Sequence, residues 1–336
     1  MKRVRVFAAL ILCFSLAQTA LAYDSSTNNY VNRLFARARA LNADMLEECE
    51  NCTFASSPAA DPVCRDTYNS VFVKREVNIH IAFGYMDDSE NAEGDYFAGK
   101  RLQFNESIDD RALGGLIHQL VQPCGDEGGA CGFTRDALDQ KLLRKTVNYR
   151  GQTTLVQLHV TNGSATPILS INTAEGQKRQ ALATWVAEQN FFGSLDTSDL
   201  TIYTGHARSG GGPDFNPPVR RGDGHPDYEG YYRVKTPGLK RLVSALRGAK
   251  SHPKLLALIA CKSDDLFRTP VLRAAPGMGF MATSDLMYFD DGFINTFLVL
   301  DGFLRQECDE TFQRTLATLK TRNGSYIRTS NFLTAH

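Results

Sequence analysis

The sequence predicts an α/β fold of three layers, a mostly parallel sheet with helices on both faces. Two observations carry this reading. From Val71 onward strand-like and helix-like segments alternate, the pattern of βαβ units. The run Leu-Leu-Ala-Leu-Ile-Ala at 255–260 is apolar without a break, as in strands buried on both faces, and such strands belong to parallel sheets. Composition agrees. Apolar residues make up 43% and charged residues 22% of the 336, which excludes collagen, coiled coil and wholesale disorder.

The elements follow in chain order. Lys2, Arg3 and Arg5 precede an apolar stretch at 6–16, and Ala20-Leu21-Ala22 follows; residues 1–22 read as a secretory signal peptide. Its apolar core is shorter than the ~20 residues that span a bilayer, and no later run reaches that length. The chain is therefore expected to be exported, periplasmic or extracellular, without transmembrane anchoring. Lys+Arg and Asp+Glu number 37 each, and the signal peptide holds three bases and no acid. No basic excess remains to neutralise phosphates, so no nucleic acid partner is expected. Residues 23–70 form a polar segment with Cys49, Cys52 and Cys64, a helix at 30–49 and a loop at 56–62. Cys49-x2-Cys52 lacks a second Cys/His pair at zinc spacing, so disulfides rather than metal are expected, and the segment reads as a disulfide-tied cap or propeptide.

Residues 71–336 read as the main domain, with insertions near 84–107 and 122–150. Residues 77–83 alternate apolar and polar and run into Gly84: a strand. Leu113, Leu116, Ile117 and Leu120 define one stripe of a helix at 109–121. Cys124 and Cys131 flank a Gly-rich loop and are expected to bridge it. A strand at 155–160 precedes a helix at 177–191, with Ala181, Leu182, Trp185 and Val186 facing inward. Then come a strand at 200–204, a helix carrying Leu239, Leu242, Val243 and Leu246, and strands at 255–260 and 279–283. Helices at 291–305 and 309–319 complete the series.

Ligands of open α/β sheets bind outside the carboxyl ends of the strands. Strand 200–204 runs into Gly205-His206-Ala207-Arg208-Ser209-Gly210-Gly211-Gly212-Pro213-Asp214-Phe215, and strand 255–260 into Cys261-Lys262-Ser263-Asp264-Asp265. The helix between them makes the strands parallel, so His206 and Cys261 leave the same edge, ~4.8 Å apart in strand spacing if the strands are neighbours. A thiol that attacks a carbonyl and an imidazole that moves protons are the minimum set for acyl transfer. Cysteine count points the same way. Seven cysteines remain beyond the signal peptide, an odd number, and Cys261 is the one that ends a buried strand while the others sit in loops or helix ends. A disulfide from Cys261, for example to Cys308, is the competing reading. Arg208 pairs either with Asp214 or with a substrate carboxylate. The Gly210–Gly212 stretch is either an anion-binding nest or a surface turn. His225 ranks second as a base; His118, His159 and His252 read as structural. The acidic run 87–95 lacks the ligand spacing of an EF loop. Neither metal nor organic cofactor is expected.

These two motifs resemble those of the caspase, legumain, gingipain and clostripain peptidases, the clan CD cysteine peptidases. In that clan an apolar strand ends in His-Gly and a later one in Ala-Cys. Here the segments are Thr201-Ile202-Tyr203-Thr204-Gly205-His206 and Leu256-Ala257-Leu258-Ile259-Ala260-Cys261, and Ala260-Cys261-x-Ser263-x-x-x-Phe267 is similar to the legumain nucleophile loop. The resemblance spans about 71–319 and is sharp at the two motifs. It implies a caspase-like sheet with strands 77–83, 155–160, 200–204, 255–260 and 279–283 as the first to the fifth. It also implies a peptide or protein substrate, with Cys261 as nucleophile and His206 as general base and acid. The amides of Cys261 and of the residue after His206 would hold the oxyanion; that residue is Ala207, where the clan has Gly. The loop after the fifth strand, starting at Ser284 and Asp285, would shape the substrate pocket, and an inward Asp285 would favour Arg or Lys. The pattern Gly-His-x-Arg-x-Gly-Gly-Gly-Pro-Asp-Phe also resembles secreted bacterial proteins. A catalytically inactive exported binding protein using the same strand-end pocket is the alternative.

Overall fold

The computed structural model describes residues 32–40, 55, 60–85, 95–97, 100–102, 108–124, 129–163, 174–216, 222, 238–287, 289–308, 311–313, 316 and 327–331. The expected signal peptide, Cys49, Cys52, most of the acidic run 87–95, His225 and most of the expected helix 309–319 lie outside the described residues. Helix α1 covers residues 32–40 and α2 spans Pro62–Phe72, where Asp61 accepts the amides of Val63 and Cys64 as an N-cap. Then come β1 (Glu76–Phe83), a separate β2 (Asp95–Phe97) and β3 (Lys100–Leu102) pair, α3 (Ile108–Leu120), β4 (Thr134–Arg135), β5 (Leu142–Tyr149) and β6 (Gln152–Asn162). They are followed by α4 (Ala174–Thr197), β7 (Leu200–Thr204), α5 (Gly238–Gly248), β8 (Leu255–Ile259), α6 (Ser263–Ala274), β9 (Gly279–Thr283), α7 (Phe289–Arg305) and β10 (Ile327–Ser330). Among the described residues no helix is long and apolar enough to cross a membrane.

The fold is α/β, built on one mostly parallel mixed sheet in the order β10-β9-β8-β7-β1-β6-β5-β4. Strands β6, β1, β7, β8 and β9 pair parallel, and antiparallel pairs add β10 at one end and β5 and β4 at the other. Helices bury both faces. Val77, Ile79 and Ile81 of β1 share a core with Leu116, Phe293 and Phe297; Tyr203 and Leu258 share the other with Phe191, Leu242 and Phe267. Strands β7 and β8 are buried at every residue, as the unbroken apolar run at 255–259 requires.

Two expectations need correction. Part of the insertion expected at 122–150 is β5, a full member of the sheet. It turns into β6 through Arg150 and Gly151, at φ 51° and 81°, the left-handed pair that a two-residue hairpin needs. The other correction concerns α4. Leu182, Trp185 and Val186 do not face inward; they are exposed. The buried side is Thr184, Ala187, Phe191, Ser194 and Leu195. Two stripes about half a turn apart were available, and the sheet took the one containing Phe191.

Helix α4 packs against β1, β6 and β7. Past it, on the same face, Leu142, Arg144, Gln157 and His159 are only half-buried. A groove of about 530 Å³ runs between this bare sheet and α4. In its floor lies His80, buried, its Nε2 3.1 Å from the Thr161 hydroxyl and its ring edge-on to His159 at 5.4 Å. Burial, and then the neighbouring His159, hold the His80 pKa down to about 3. The unfolded chain takes up a proton near the ordinary histidine value of 6.5 and the folded chain does not, so stability is complete above that pH and falls as pH drops toward the folded value. Between pH 8 and pH 5, His80 should cost about 2 kcal/mol. Urea unfolding at both pH values should show this slope in the wild type and its loss in His80→Gln. An equal slope in both proteins refutes the assignment.

Candidate active site

Strand β8 hands the chain to Cys261 through a buried hydroxyl pair. The Ser263 hydroxyl donates to the Leu258 carbonyl at 2.5 Å and accepts the Thr283 amide at 2.9 Å. The Thr283 hydroxyl donates to the Ala260 carbonyl at 2.6 Å and accepts the Ala260 amide at 3.1 Å. Lys262 then takes a left-handed conformation at φ 51°, gives its amide to the Asp285 carbonyl at 2.8 Å, and α6 starts. Cys261 is half-buried and is the one free cysteine among the described residues. Its Sγ accepts the Met287 amide at 3.3 Å, and its S–H lies 3.4 Å from the Met287 carbonyl. Cys64 bonds Cys308, and Cys124 bonds Cys131. The local bridge is as expected, and the Cys261–Cys308 alternative is overturned because Cys308 is already taken.

The histidine leaves β7 beside it. Thr204 pairs with Ile259 in register, and the Gly205 amide donates to the Ile259 carbonyl at 3.2 Å, so the two exits are stitched together. The Tyr203 side chain folds back under the loop. Its hydroxyl has the carbonyls of His206 and Asp214 as acceptors, each at 3.0 Å, and accepts the Asp214 amide at 2.9 Å. A Cβ on Gly205 would sit 2.6 Å from that oxygen, which accounts for the glycine. Arg208 reaches Asp214 at 3.3 Å and lies over the Tyr85 ring. Both partners are almost fully buried, so this ion pair props the loop from within. Winding reverses at β1, which has β6 on one side and β7 on the other, and ligands of such sheets favour that crevice. Here the loop's own Asp214 carbonyl fills it, accepting the Tyr85 amide at 3.1 Å, so the open space lies one strand over, between β7 and β8.

That space is a cavity of about 210 Å³ bounded by His206, Ala207, Arg208, Ser209, Cys261, Lys262, Leu266 and Leu286. Arg208, Ser209 and Lys262 all have positive φ, between 47° and 51°. Non-glycine residues rarely adopt this conformation, and it tends to cluster where a site is being shaped. Ala207, by contrast, has φ −78°, so its Cβ adds no backbone strain. The structure brings together His206, Ala207, Arg208 and Cys261 from the expected set. Asp214 does not line the cavity; it is buried against Arg208. Ser284 and Asp285 do not line it; Asp285 Oδ1 instead accepts the Leu286 amide at 2.7 Å. His252 meets the Leu246 carbonyl and His159 meets Asp139, both as structural contacts.

Sequence reasoning missed Tyr203, Thr283, Leu266, Leu286 and Met287. Tyr203 carried no clear sign, because the strand Leu-Thr-Ile-Tyr-Thr already holds two other hydroxyl side chains. Tyr203→Phe should lower stability by about 1–3 kcal/mol, because the Asp214 amide and two carbonyls lose a buried partner, which denaturant unfolding will measure. A stability equal to wild type would mean that the loop is held elsewhere. No protein-family model, curated protein or solved structure matches the chain.

Proposed function

We propose that the chain is a secreted cysteine peptidase of caspase-like fold, acting through Cys261 and His206. One observation carries the reading: the two residues leave neighbouring parallel strands at the same edge and bound one cavity, and the thiol is unbridged. The disulfides support a protein that matures in an oxidising compartment. In the proposed reaction His206 takes the Cys261 proton and sulfur attacks the scissile carbonyl carbon. The S–C bond forms and the carbonyl pair moves onto oxygen. Collapse breaks the C–N bond, with His206 returning the proton to the leaving amine. Water, deprotonated by His206, then hydrolyses the thioester and frees the acid and the thiol. The amides of Ala207 and Cys261 make no hydrogen bond among the described residues, which suits donors reserved for an oxyanion.

Leu266 and Leu286 wall the cavity and Asp285 does not, so the residue entering it is expected to be apolar rather than Arg or Lys. A diverse peptide mixture incubated with the mature protein under mild reduction, read by mass spectrometry, tests both statements. Cuts beside apolar residues are expected. Cuts confined to Arg or Lys would refute the pocket assignment, and no cuts would refute the peptidase.

A further inference from the structure

We infer that the Cys124–Cys131 bridge is a thiol-exchange site: a dithiol reductant opens it, and Lys145 holds the released Cys124 as a thiolate. The lysine is out of place by its strand alone. It stands on the inner face of β5 between Leu143 and Val147, where apolar residues are the rule. Its side chain passes the Phe133 ring, 5.7 Å from the centroid, and ends at the loop that the bridge closes. There Nζ donates to the Gly129 carbonyl at 2.6 Å and to Cys124 Sγ at 3.6 Å. A disulfide sulfur is a weak acceptor and a thiolate a strong one, so this contact gains most when the bridge is open. Burial holds the Lys145 pKa down to about 8, so the ammonium still carries its proton at neutral pH. Gly132, at φ 67°, sets no Cβ against that sulfur, where one would stand at 3.1 Å.

Other elements add to the positive charge. From α1, Arg39 donates to the Pro123 carbonyl at 2.5 Å, one residue before Cys124. From α7, Asp301 accepts the Ala130 amide at 2.6 Å and pairs with Arg305 at 2.7 Å. Among the described residues, Lys145, Arg39 and Arg305 thus stand here against the single carboxylate of Asp301; Asp126 and Glu127 lie outside the described residues. A positive surround lowers the pKa of a thiol and favours the open form. Access points the same way. Cys124 is half-buried, whereas Cys131, Cys64 and Cys308 are buried. A thiolate of the reductant therefore attacks Cys124 Sγ. A new S–S bond forms, the Cys124–Cys131 bond breaks, and its electron pair leaves on Cys131, which takes a proton. The second thiolate of the reductant attacks its own sulfur in the mixed disulfide and releases Cys124 as a thiolate beside Lys145. Two electrons pass from the dithiol to the bridge. Negative charge develops beside Lys145 in both steps, where the ammonium is already in place to meet it.

The full protein would be treated with dithiothreitol, quenched with iodoacetamide and mapped cysteine by cysteine by mass spectrometry. Cys124–Cys131 should open while Cys64–Cys308 stays closed. Alkylation rates measured across pH should then give Cys124 a midpoint at least about one pH unit below the ordinary thiol value of about 8.5. Lys145→Met should raise that midpoint by about one pH unit, a tenfold weaker acid, and slow the opening at least about threefold. Lys145→Arg, which keeps the charge, should retain most of the effect. Urea unfolding with the bridge closed shows whether Lys145→Met is folded. Arg39→Gln removes a charge without touching β5 and should raise the midpoint by about half a pH unit. The inference is overturned if wild-type Cys124 titrates at about 8.5 or above, or if the two bridges open together. It is also overturned if folded Lys145→Met opens and titrates as wild type does; where that variant does not fold, an Arg39→Gln midpoint equal to wild type does the same.

Discussion

Cys261→Ala should reduce kcat/KM for peptide hydrolysis by at least about a thousandfold, because no other group can form the thioester. The same change should barely move stability. Cys261 is half-buried, and its Sγ holds contacts with Met287 at 3.3 and 3.4 Å, so the loss is about 1 kcal/mol. The turn itself is fixed by Ser263 and Thr283, which the substitution does not touch. Wild type and variant should therefore unfold at nearly the same urea concentration and differ wholly in turnover. His206→Ala should cost about a hundredfold to ten-thousandfold, the usual weight of a positioned acid–base group. Hydrolysis that persists in Cys261→Ala would remove the nucleophile assignment.

The second large effect is on stability. Cys64 and Cys308 are bonded across 244 residues, against 7 for Cys124 and Cys131. Closing a loop of that length removes chain entropy from the unfolded state worth about 5 kcal/mol, compared with about 2.5 kcal/mol for the short loop. The long bridge also holds α2 to the end of α7, where the Tyr68 hydroxyl donates to the Glu307 carbonyl at 2.9 Å and Tyr68 and Phe72 pack on Phe303. A Cys64→Ala/Cys308→Ala protein should thus lose about 5 kcal/mol, a large share of the 5–15 kcal/mol that typical domains possess. The Cys124→Ala/Cys131→Ala protein should lose about half as much. Equal losses in the two would show that loop length does not govern the effect.

The parallel strands were legible because burial on both faces leaves a plain mark. Strands at 200–204 and 279–283 stand at the expected residues, and β8 ends one residue earlier than expected. The margins were not legible. β5 alternates Leu143, Lys145, Val147 and Tyr149 on its inner face, and Lys145 breaks the apolar pattern; its turn uses Arg150, which is not a customary turn residue. In α4 the apolar residues occupy both an inner and an outer stripe, and periodicity alone cannot tell which one a sheet covers. His206 and Cys261 could be read because each ends a recognisable strand. Asp285 could not be placed, because the direction of a loop side chain depends on backbone contacts such as that between Lys262 and Asp285. The Cys124–Cys131 bridge was readable from proximity in the chain; the Cys64–Cys308 bridge had no such cue.

That long bridge also sets a sequence of events during synthesis. Cys308 lies 244 residues beyond Cys64, so Cys64 cannot meet its partner until all of the intervening chain has been made. Before then it has Cys49, Cys52, Cys124, Cys131 and Cys261 as neighbours, and every bond it makes with them must be undone by thiol–disulfide exchange. Maturation is thereby timed by the emergence of the turn that follows α7, which delivers the sulfur that locks α2 to that side of the core.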